Sequence, residues 1–266
     1  AAAGIVPLAL AWIGDAVPYN VRQTTIARFM MGQISGLTVG QAFGGWFGDL
    51  AGWRAAFLVI LALYALATLG LTFELRRNPL ANGAPTKTPL PDALAAFGAA
   101  LRRKSVRALM TAVFLEGFLC FGAVAYITTM LHFRFDLTFG QAGLLLIAFG
   151  LGGVCYASLA SRIVPRLGES GVARLSGALF LLAFLGLAFA SAPLFAAPAC
   201  LAAGAGYYLL HSVLQVNATQ ATPQARGAGM SLFATCFFLG QAAGVAAAAP
   251  IVDRYGAPAV FFIAAL

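Results

Sequence analysis

The chain has 266 residues, of which 61% are hydrophobic and only 9% are charged, and its mean hydropathy is +0.90. Soluble domains carry about 25% charged residues, so this composition excludes an ordinary soluble protein and predicts an all-α membrane protein with many spans. The net charge of +8 does not indicate nucleic-acid binding, because the basic residues lie in short connectors between apolar segments.

Apolar segments of about 20 residues, the length that a bilayer core requires, divide the chain. Residues 1–14 are predicted to be the end of a spanning helix, and a short polar connector follows it. Complete spans are predicted at about 27–47, 53–73, 107–131, 138–161, 172–190, 194–217 and 228–250, and a last span begins near 257. Both ends fall within apolar runs, so we expect the sequence to be a fragment of a longer protein.

The first complete span carries a glycine at every fourth position, here called the glycine stripe: Gly32, Gly36, Gly40, Gly44 and Gly48. In a soluble helix each of these would cost roughly 1 kcal/mol relative to alanine. In lipid the backbone must stay helical, and the absent side chains leave a groove in which another helix can lie close. The alternative, a glycine-rich loop, is disfavoured because large apolar residues fill the intervals. The stripe is therefore predicted to be a packing surface.

Residues 76–105 form the one long polar segment, with four prolines followed by a short basic amphipathic stretch. We interpret it as a linker, part of it on the membrane surface, between two helix bundles. The predicted domains are thus 1–75, the remainder of an N-terminal bundle, and 106–266, a C-terminal bundle whose last helix is truncated.

The basic residues predict the orientation of the chain in the membrane. Thirteen of the 16 Lys and Arg residues fall on the side that carries the linker, and only Arg54, Arg134 and Arg254 fall on the other. Because cytoplasmic loops carry the excess of Lys and Arg, the linker is predicted to be cytoplasmic, and the protein to lie in the plasma or inner membrane of the cell.

Three landmarks recur in the same order about 200 residues apart. They pair Pro18–Arg22 with Pro223–Arg226, Gly40–Gly44 with Gly240–Gly244, and Asp49–Phe57 with Asp253–Phe261. Both copies run from the cytoplasm outward, as two six-helix bundles related by a parallel pseudo-twofold repeat would require. Three helices precede the second copy after the linker, so three helices and the start of a fourth are expected to precede the first copy in a twelve-helix protein.

These motifs resemble those of major facilitator superfamily transporters, specifically the drug:proton antiporters and their sugar-efflux-like relatives. Ala1–Pro7 is similar to the end of the fourth-helix motif, and the polar residues after it resemble the connector that follows. The glycine stripe followed by Gly52-Trp53-Arg54 resembles the fifth-helix antiporter motif. Residues 152–168 resemble the second copy of the cytoplasmic signature loop, without an acidic partner inside it.

The resemblance covers residues 1–266 and implies the major facilitator fold, with the chain supplying the fourth to twelfth helices. It also implies a transporter that works by alternating access. The family usually has Gly-Pro where this chain has Gly40-Gln41. This departure leaves a proton-coupled uptake symporter or a facilitator open beside antiport.

Glu116 is the acidic residue that lies deepest within a predicted span, about ten residues into 107–131 and near the bilayer midplane. An unpaired carboxylate there is costly, so the side chain is expected to face the bundle interior. One interpretation is a proton-coupling or cation-binding site. The other is a neutral carboxyl group that is hydrogen-bonded to a neighbouring helix.

A second polar cluster lies on 194–217 and contains His211, Gln215 and Asn217, with Tyr207 one turn before His211. The resemblance implies that this helix and the helix of Glu116 line one central cavity. His211 is then a candidate proton relay, or equally an imidazole hydrogen-bonded between helices. Tyr126 is a candidate for lining the pathway, or for an interfacial aromatic belt.

Five polar residues near the helix ends are candidates for stabilising one gating state: Asp15, Arg22, Arg162, Arg166 and Arg226. The arginines would bond helix ends or acidic neighbours such as Asp15 and Glu169. A role in membrane topology alone explains each arginine equally well.

The sequence therefore predicts a secondary transporter that exports a small organic molecule, drug-like or sugar-like, in exchange for protons. Its expected partners are the substrate, protons and the lipid bilayer, without nucleic acid, and it is expected to be monomeric. An intramembrane enzyme is the alternative of another class, but no catalytic motif, phosphate-binding loop or CxxC pair supports it. No cofactor and no metal site are predicted.

Overall fold

The computed structural model describes residues 9, 12–13, 17, 19–77, 90–221 and 226–266, and every regular element in these ranges is helical. The helices are α1 (Tyr19–Ala51), α2 (Trp53–Arg77), α3 (Leu90–Arg102), α4 (Lys104–Glu116), α5 (Gly122–Val124), α6 (Ile127–Phe135), α7 (Phe139–Ala188), α8 (Ala196–Ala221), α9 (Arg226–Tyr255) and α10 (Ala257–Ala265). A π-helical turn, Gly117–Phe121, joins α4 to α5, and a 3-10 turn, Pro193–Phe195, precedes α8.

Six segments of the described chain are long and apolar enough to cross a membrane. They are Trp53–Arg77, Lys104–Phe135, Phe139–Ala160, Arg162–Ala188, Pro193–Ala218 and Gly229–Tyr255. Each overlaps a predicted span, which confirms the predicted all-α architecture for the described residues. The grouping into two bundles and the helices expected to precede residue 1 stay predictions.

The predicted connector between 161 and 172 is helical over most of its length, because α7 continues through it for 50 residues. The break is confined to Gly168, whose φ of 63° and ψ of 177° interrupt the helix. That conformation is essentially restricted to glycine, so this residue marks the turn between the two spans of α7.

The span that contains Glu116 is not the regular helix predicted over 107–131. The π-helical turn interrupts it after Glu116, and a second break lies at Ala125 and Tyr126. The physical reason lies in the packing against α9, because a Cβ atom on Gly117 would meet the Phe237 carbonyl oxygen, and one on Gly122 would meet Gly244 at 3.0 Å. The backbones of the two helices therefore touch.

Two glycines of α9 complete this contact from the other side. A Cβ atom on Gly240 would meet the carbonyl oxygen of Phe114, and one on Gly244 would meet that of Phe118. Such small-residue contacts let helices in lipid approach until their backbones are in van der Waals contact. The recurring sequence motif at Gly240–Gly244 therefore acts as a close-packing surface, whereas its origin in a structural repeat of two bundles stays a prediction.

The buried apolar core lies within residues 100–261. Helices α7 and α8 also pack closely, since a Cβ atom on Gly152 would meet Leu201 and one on Gly204 would meet Phe149. By contrast, α2 contributes no buried residue. The side chains of α2 are accordingly available to lipid or to another helix.

Candidate functional site

Glu116 is the last residue of α4, and its side chain has no exposed surface. The π-helical turn begins at the next residue. Such turns widen a helix locally and occur frequently at functional sites. Here the turn places the only fully buried carboxyl group of the described chain beside α8 and α9.

His211 of α8 is the partner of this carboxyl group. Its Nδ1 atom lies 3.0 Å from Oε2 of Glu116, and its side chain is 18% exposed. The other carboxyl oxygen, Oε1, is buried and has no hydrogen-bond partner among the described residues. The structure thus brings together two residues that the sequence singled out, and it leaves one oxygen unsatisfied between the helices.

Aromatic rings enclose the pair. The ring of His211 has its centroid 4.9 Å from those of Tyr207 and Phe237 and 5.1 Å from that of Phe233. Phe121 of the π-helical turn lies 5.1 Å from Tyr207 and closes the other side. In surroundings of such low polarity an isolated carboxylate is costly. The hydrogen bond to His211 and protonation of the carboxyl group therefore both change the free energy of this buried site strongly.

Helical spacing explains how the sequence builds this enclosure. Tyr207 and His211 are four residues apart on α8, so they share one face, and Phe233 and Phe237 have the same relation on α9. The glycine contact at Gly240 then holds α9 close to Phe114 of α4, one turn from Phe237. Helices α8 and α9 and the π-helical turn thereby contribute rings to one buried space.

Three other predicted residues do not join the pair. Gln215 is half-buried one turn after His211. The side chain of Asn217 donates to Oε2 of Glu169 at 3.2 Å and to the carbonyl of Val213 at 3.0 Å. Tyr126 lies at the second break of its span and donates to the carbonyl of Val245 at 3.0 Å. Asn217 and Tyr126 therefore link helices at other places.

Sequence reasoning missed one polar contact beside the site. The hydroxyl of Tyr156 in α7 donates to Oγ of Ser212 at 2.5 Å, and Ser212 in turn donates to the carbonyl of Leu209. Ser212 directly follows His211 in α8. The position of Tyr156 inside an apolar span indicates such a contact in the sequence, because a buried hydroxyl normally has a hydrogen-bond partner.

A cavity of about 460 Å³ lies apart from these polar side chains, between the end of α7 and the start of α8. Its lining is apolar except for Ser191, and it includes Leu182, Phe189 and Phe195. No titratable side chain lines it, so it offers no chemistry that resembles the Glu116 site. In the described part of the chain, no group of three or more His, Cys, Asp or Glu residues is placed to hold a metal ion.

Comparison with known proteins decides the family. The sequence profile of the Major Facilitator Superfamily matches residues 1–245. The chain belongs to the Major Facilitator Superfamily. A protein of Bacillus subtilis (strain 168), named "Uncharacterized MFS-type transporter YwfA", is 24% identical over 266 residues, which is all of this chain and 64% of that protein.

Membership of the Major Facilitator Superfamily places the chain with membrane transporters rather than with enzymes. The match confirms the family inferred from the motifs, whereas the antiporter branch stays a prediction. Because the chain spans 64% of the length of its relative, the activity of the entire protein is a matter for proposal.

The glycine stripe occupies an open face of α1 in this superfamily member. Among the described residues, a Cβ atom built on any of its five glycines would meet no heavy atom within 4 Å. Gly45, next to the stripe, makes the close contact instead, because a Cβ atom there would clash with the carbonyl of Phe139 in α7. The packing role of the stripe stays a prediction.

The predicted gating residues are only partly described. Arg162 and Arg166 are exposed on α7, and neither forms an ion pair with Glu169, whose carboxylate accepts from Asn217 instead. Arg22 and Arg226 lie on α1 and α9, but their side chains are outside the described part of the structure. Asp15 also lies outside the described residues. The gating roles of all five stay predictions.

Asp49 is a second residue that sequence reasoning missed. It lies in the last turn of α1, and both of its carboxylate oxygens accept hydrogen bonds from the first turn of α7. The backbone N–H of Gly140 is the main cause that holds the pKa of this carboxyl group below its usual value. No local signal reveals such a contact, because the partners are 90 and 91 residues apart in the chain.

Proposed function

We propose that the complete protein is a secondary active transporter that exports a small organic molecule, drug-like or sugar-like, in exchange for protons. The observation that carries this proposal is the buried pair of Glu116 and His211, at 3.0 Å, with one carboxyl oxygen unsatisfied. Ionisable residues inside a membrane bundle are costly and are therefore candidates for ion or proton pathways.

The pair can hold a proton in two ways without moving its heavy atoms. When Glu116 is ionised, Nδ1 of His211 donates to Oε2. When Glu116 is protonated, Oε2–H donates to Nδ1 of the other imidazole tautomer. Loading and release of the proton change the charge of a buried site while the contact persists. A charge change of this kind biases the equilibrium between two conformations that solvate the site differently.

In the proposed cycle the two halves, 1–75 and 106–266, rock against each other around a central chamber. Glu116 is protonated from outside and releases its proton inward, while the substrate moves the other way. Gln215, Asn217, Tyr126 and Tyr207 line the substrate and proton pathway. The glycine stripe and the arginines near the helix ends form and release contacts as the halves move. The excess of basic residues on the linker side supports a cytoplasmic linker and residence in the cell membrane.

The test uses the full-length protein reconstituted in vesicles. Substrate candidates come from a panel of small amphipathic compounds and sugars, selected by thermal stabilisation of the purified protein. Glu116→Gln keeps the size and one hydrogen-bond acceptor but removes the titratable carboxyl group. We expect it to abolish substrate accumulation driven by a pH gradient, while Glu74→Gln, at an exposed glutamate of α2, leaves accumulation unchanged. Full pH-driven accumulation by Glu116→Gln would remove this residue from the coupling mechanism.

A proton-coupled uptake symporter or a facilitator is the second candidate, favoured by Gln41 in the position where the antiporter motif has proline. The direction of the gradient separates the three. An antiporter accumulates substrate in vesicles that are acidic inside, and a symporter accumulates it when the outside is acidic. A facilitator only equilibrates it.

A further inference from the structure

We propose that Asp49 holds shut the side of the transporter on which Arg54, Arg134 and Arg254 lie, by capping the first turn of α7 from the end of α1. This inference rests on the proposed function, because it assumes that the two halves separate on one side in each cycle. It assigns a gating role to a residue outside the Glu116 site and outside the glycine stripe.

The hydrogen bonds have the geometry of a helix cap supplied from elsewhere in the chain. Oδ1 of Asp49 accepts from the backbone N–H of Phe139 at 3.2 Å, and Oδ2 accepts from that of Gly140 at 2.6 Å. The first four N–H groups of a helix have no partner within it, and the positive end of its dipole favours an anion. A carboxylate is the group best suited to this place.

Within the first turn of α7, a nearby side chain accepts a hydrogen bond only from the N–H group of Gln141. Thr138 accepts from the backbone of Gln141, while the Gln141 side chain accepts from the backbone of Thr138. This capping box leaves the N–H groups of Phe139 and Gly140 to another acceptor. If Asp49 moves away, both groups lose their partner. The capping hydrogen bonds therefore form when this side closes and break when it opens.

The backbones of the two helices meet at the same point. A Cβ atom on Gly45 would clash with the carbonyl of Phe139, and one on Gly140 would lie 2.9 Å from Oδ2 of Asp49 and 3.3 Å from Cα of Trp46. Glycine on both sides is what lets the carboxylate reach the helix end. The contact therefore depends on particular residues rather than on general apolar packing.

Asp49 can form this contact as an ionised carboxylate, without binding a proton. The N–H of Gly140, the hydroxyl of Thr138 and the nearby ring of His132 all favour the ionised carboxyl group. His132 also stacks on Phe139, with the ring centroids 4.4 Å apart, so it belongs to the same cluster. Closure here and proton loading at Glu116 are thus carried by different groups.

The experiment measures the opening of this side directly. Spin labels are placed at two exposed positions, Arg54 in α2, which follows the helix of Asp49, and Phe133 in α6, which precedes α7. The full-length protein is used with its native cysteines replaced by alanine. Distances are then recorded at neutral pH in lipid nanodiscs. Asp49→Ala and Asp49→Asn should raise the ratio of long to short distances about tenfold, since charge-assisted hydrogen bonds are lost.

Asp253→Asn is the matched control, because Asp253 is the counterpart of Asp49 in the sequence repeat and is exposed near the end of α9. It should leave the distance distribution unchanged. Gly140→Ala provides a second route in case the Asp49 variants do not fold, because the added methyl group displaces the carboxylate while leaving its charge. It should produce the same opening.

An unchanged distribution in Asp49→Ala, or in Gly140→Ala if the former does not fold, overturns the role of Asp49. An equal opening in Asp253→Asn also overturns it, because the effect would then not depend on the cap. Failure of the proposed coupling appears separately, as intact pH-driven accumulation by Glu116→Gln. The distance measurement needs neither a substrate nor a pH gradient.

Discussion

Nδ1 of His211 lies 3.0 Å from Oε2 of Glu116, although the two residues are 95 positions apart in the chain. His211 therefore provides a hydrogen bond to a fully buried carboxyl group. The other oxygen of that group, Oε1 of Glu116, has no hydrogen-bond partner among the described residues. Loss of that contact would leave the buried carboxyl group without a hydrogen bond from the described residues, which leads to the first prediction.

Replacement of His211 by alanine should destabilise the protein, because Glu116 then loses its hydrogen bond inside the bundle. A buried polar group left without a partner costs about 1–3 kcal/mol. We expect the thermal unfolding midpoint of the full-length protein in detergent to fall by several degrees. In the Glu116→Leu background the same replacement should cost clearly less, and equal costs in both backgrounds would show that the pair is not coupled.

Glycines at corresponding places of the two repeats should differ in their tolerance of a side chain. Gly240→Leu places carbon atoms on the carbonyl of Phe114, whereas Gly40→Leu points into open space in this structure. We therefore expect Gly240→Leu to reduce the yield of folded protein strongly, since helices in backbone contact cannot admit a large side chain.

The matched variant, Gly40→Leu, should fold and insert normally but transport poorly, because the stripe is predicted to pack in another part of the cycle. The yields are measured by size-exclusion chromatography, and transport is measured in vesicles. Equal folding defects in the two variants would indicate that both glycines are already packed, contrary to the open face seen at Gly40.

The break within α7 predicts a second difference between two glycines. Gly168 has a positive φ of 63°, which alanine adopts only with strain, so Gly168→Ala should cost of order 1–3 kcal/mol. Gly177 lies in a regular part of the same helix with nothing within 4 Å of its Cβ position. Gly177→Ala should be neutral or slightly stabilising. Thermal unfolding of both variants, side by side, checks this, and a harmless Gly168→Ala would contradict the strained turn.

Acid should weaken the contact of Asp49 with the first turn of α7. Its pKa is lowered in the folded protein, chiefly by the N–H of Gly140 and against the opposing effect of desolvation. A carboxyl group of this kind contributes stability above its usual pKa, near 3.8, and the contribution is lost as the pH falls through the lower folded pKa. The contribution of Asp49 to the closed population measured by spin labels should therefore be constant between pH 5 and pH 8, and it should fall below about pH 4.

The ring of His132 is one of the groups that act on Asp49, so the series is repeated in His132→Gln. The acid response should persist in that variant and vanish in Asp49→Asn. A closed population in Asp49→Asn that still declines below pH 4 would assign the response to another group.

The spans of this protein could be predicted because each needs only about 20 apolar residues in sequence. The interruption of the Glu116 span could not, since the π-helical turn and the break at Tyr126 depend on how closely α9 approaches. The same distinction holds for the site. Glu116 and His211 were identified because a charged or titratable residue is rare within a span, and the family resemblance placed their helices around one cavity.

The cap formed by Asp49 shows where such reasoning ends. The pattern of Thr138 and Gln141 predicts the start of a helix. Nothing in that pattern indicates that a carboxylate more than 80 residues earlier accepts the remaining N–H hydrogen bonds. Asn217 was similarly identified as polar within a span, yet its partner is Glu169 and not the pair at the centre. Polar residues are visible in a sequence, and their partners are decided by packing.

The unpaired oxygen of Glu116 also makes this residue distinguishable by vibrational spectroscopy. When the proton lies on Oε2 and points to His211, Oε1 is a carbonyl that accepts no hydrogen bond from the described chain. Such a carbonyl absorbs at a higher infrared frequency than a hydrated carboxylic acid does. The protonation of one carboxyl group, out of the eight that the chain contains, would thus be visible as a separate band that shifts with ¹³C labelling of glutamate.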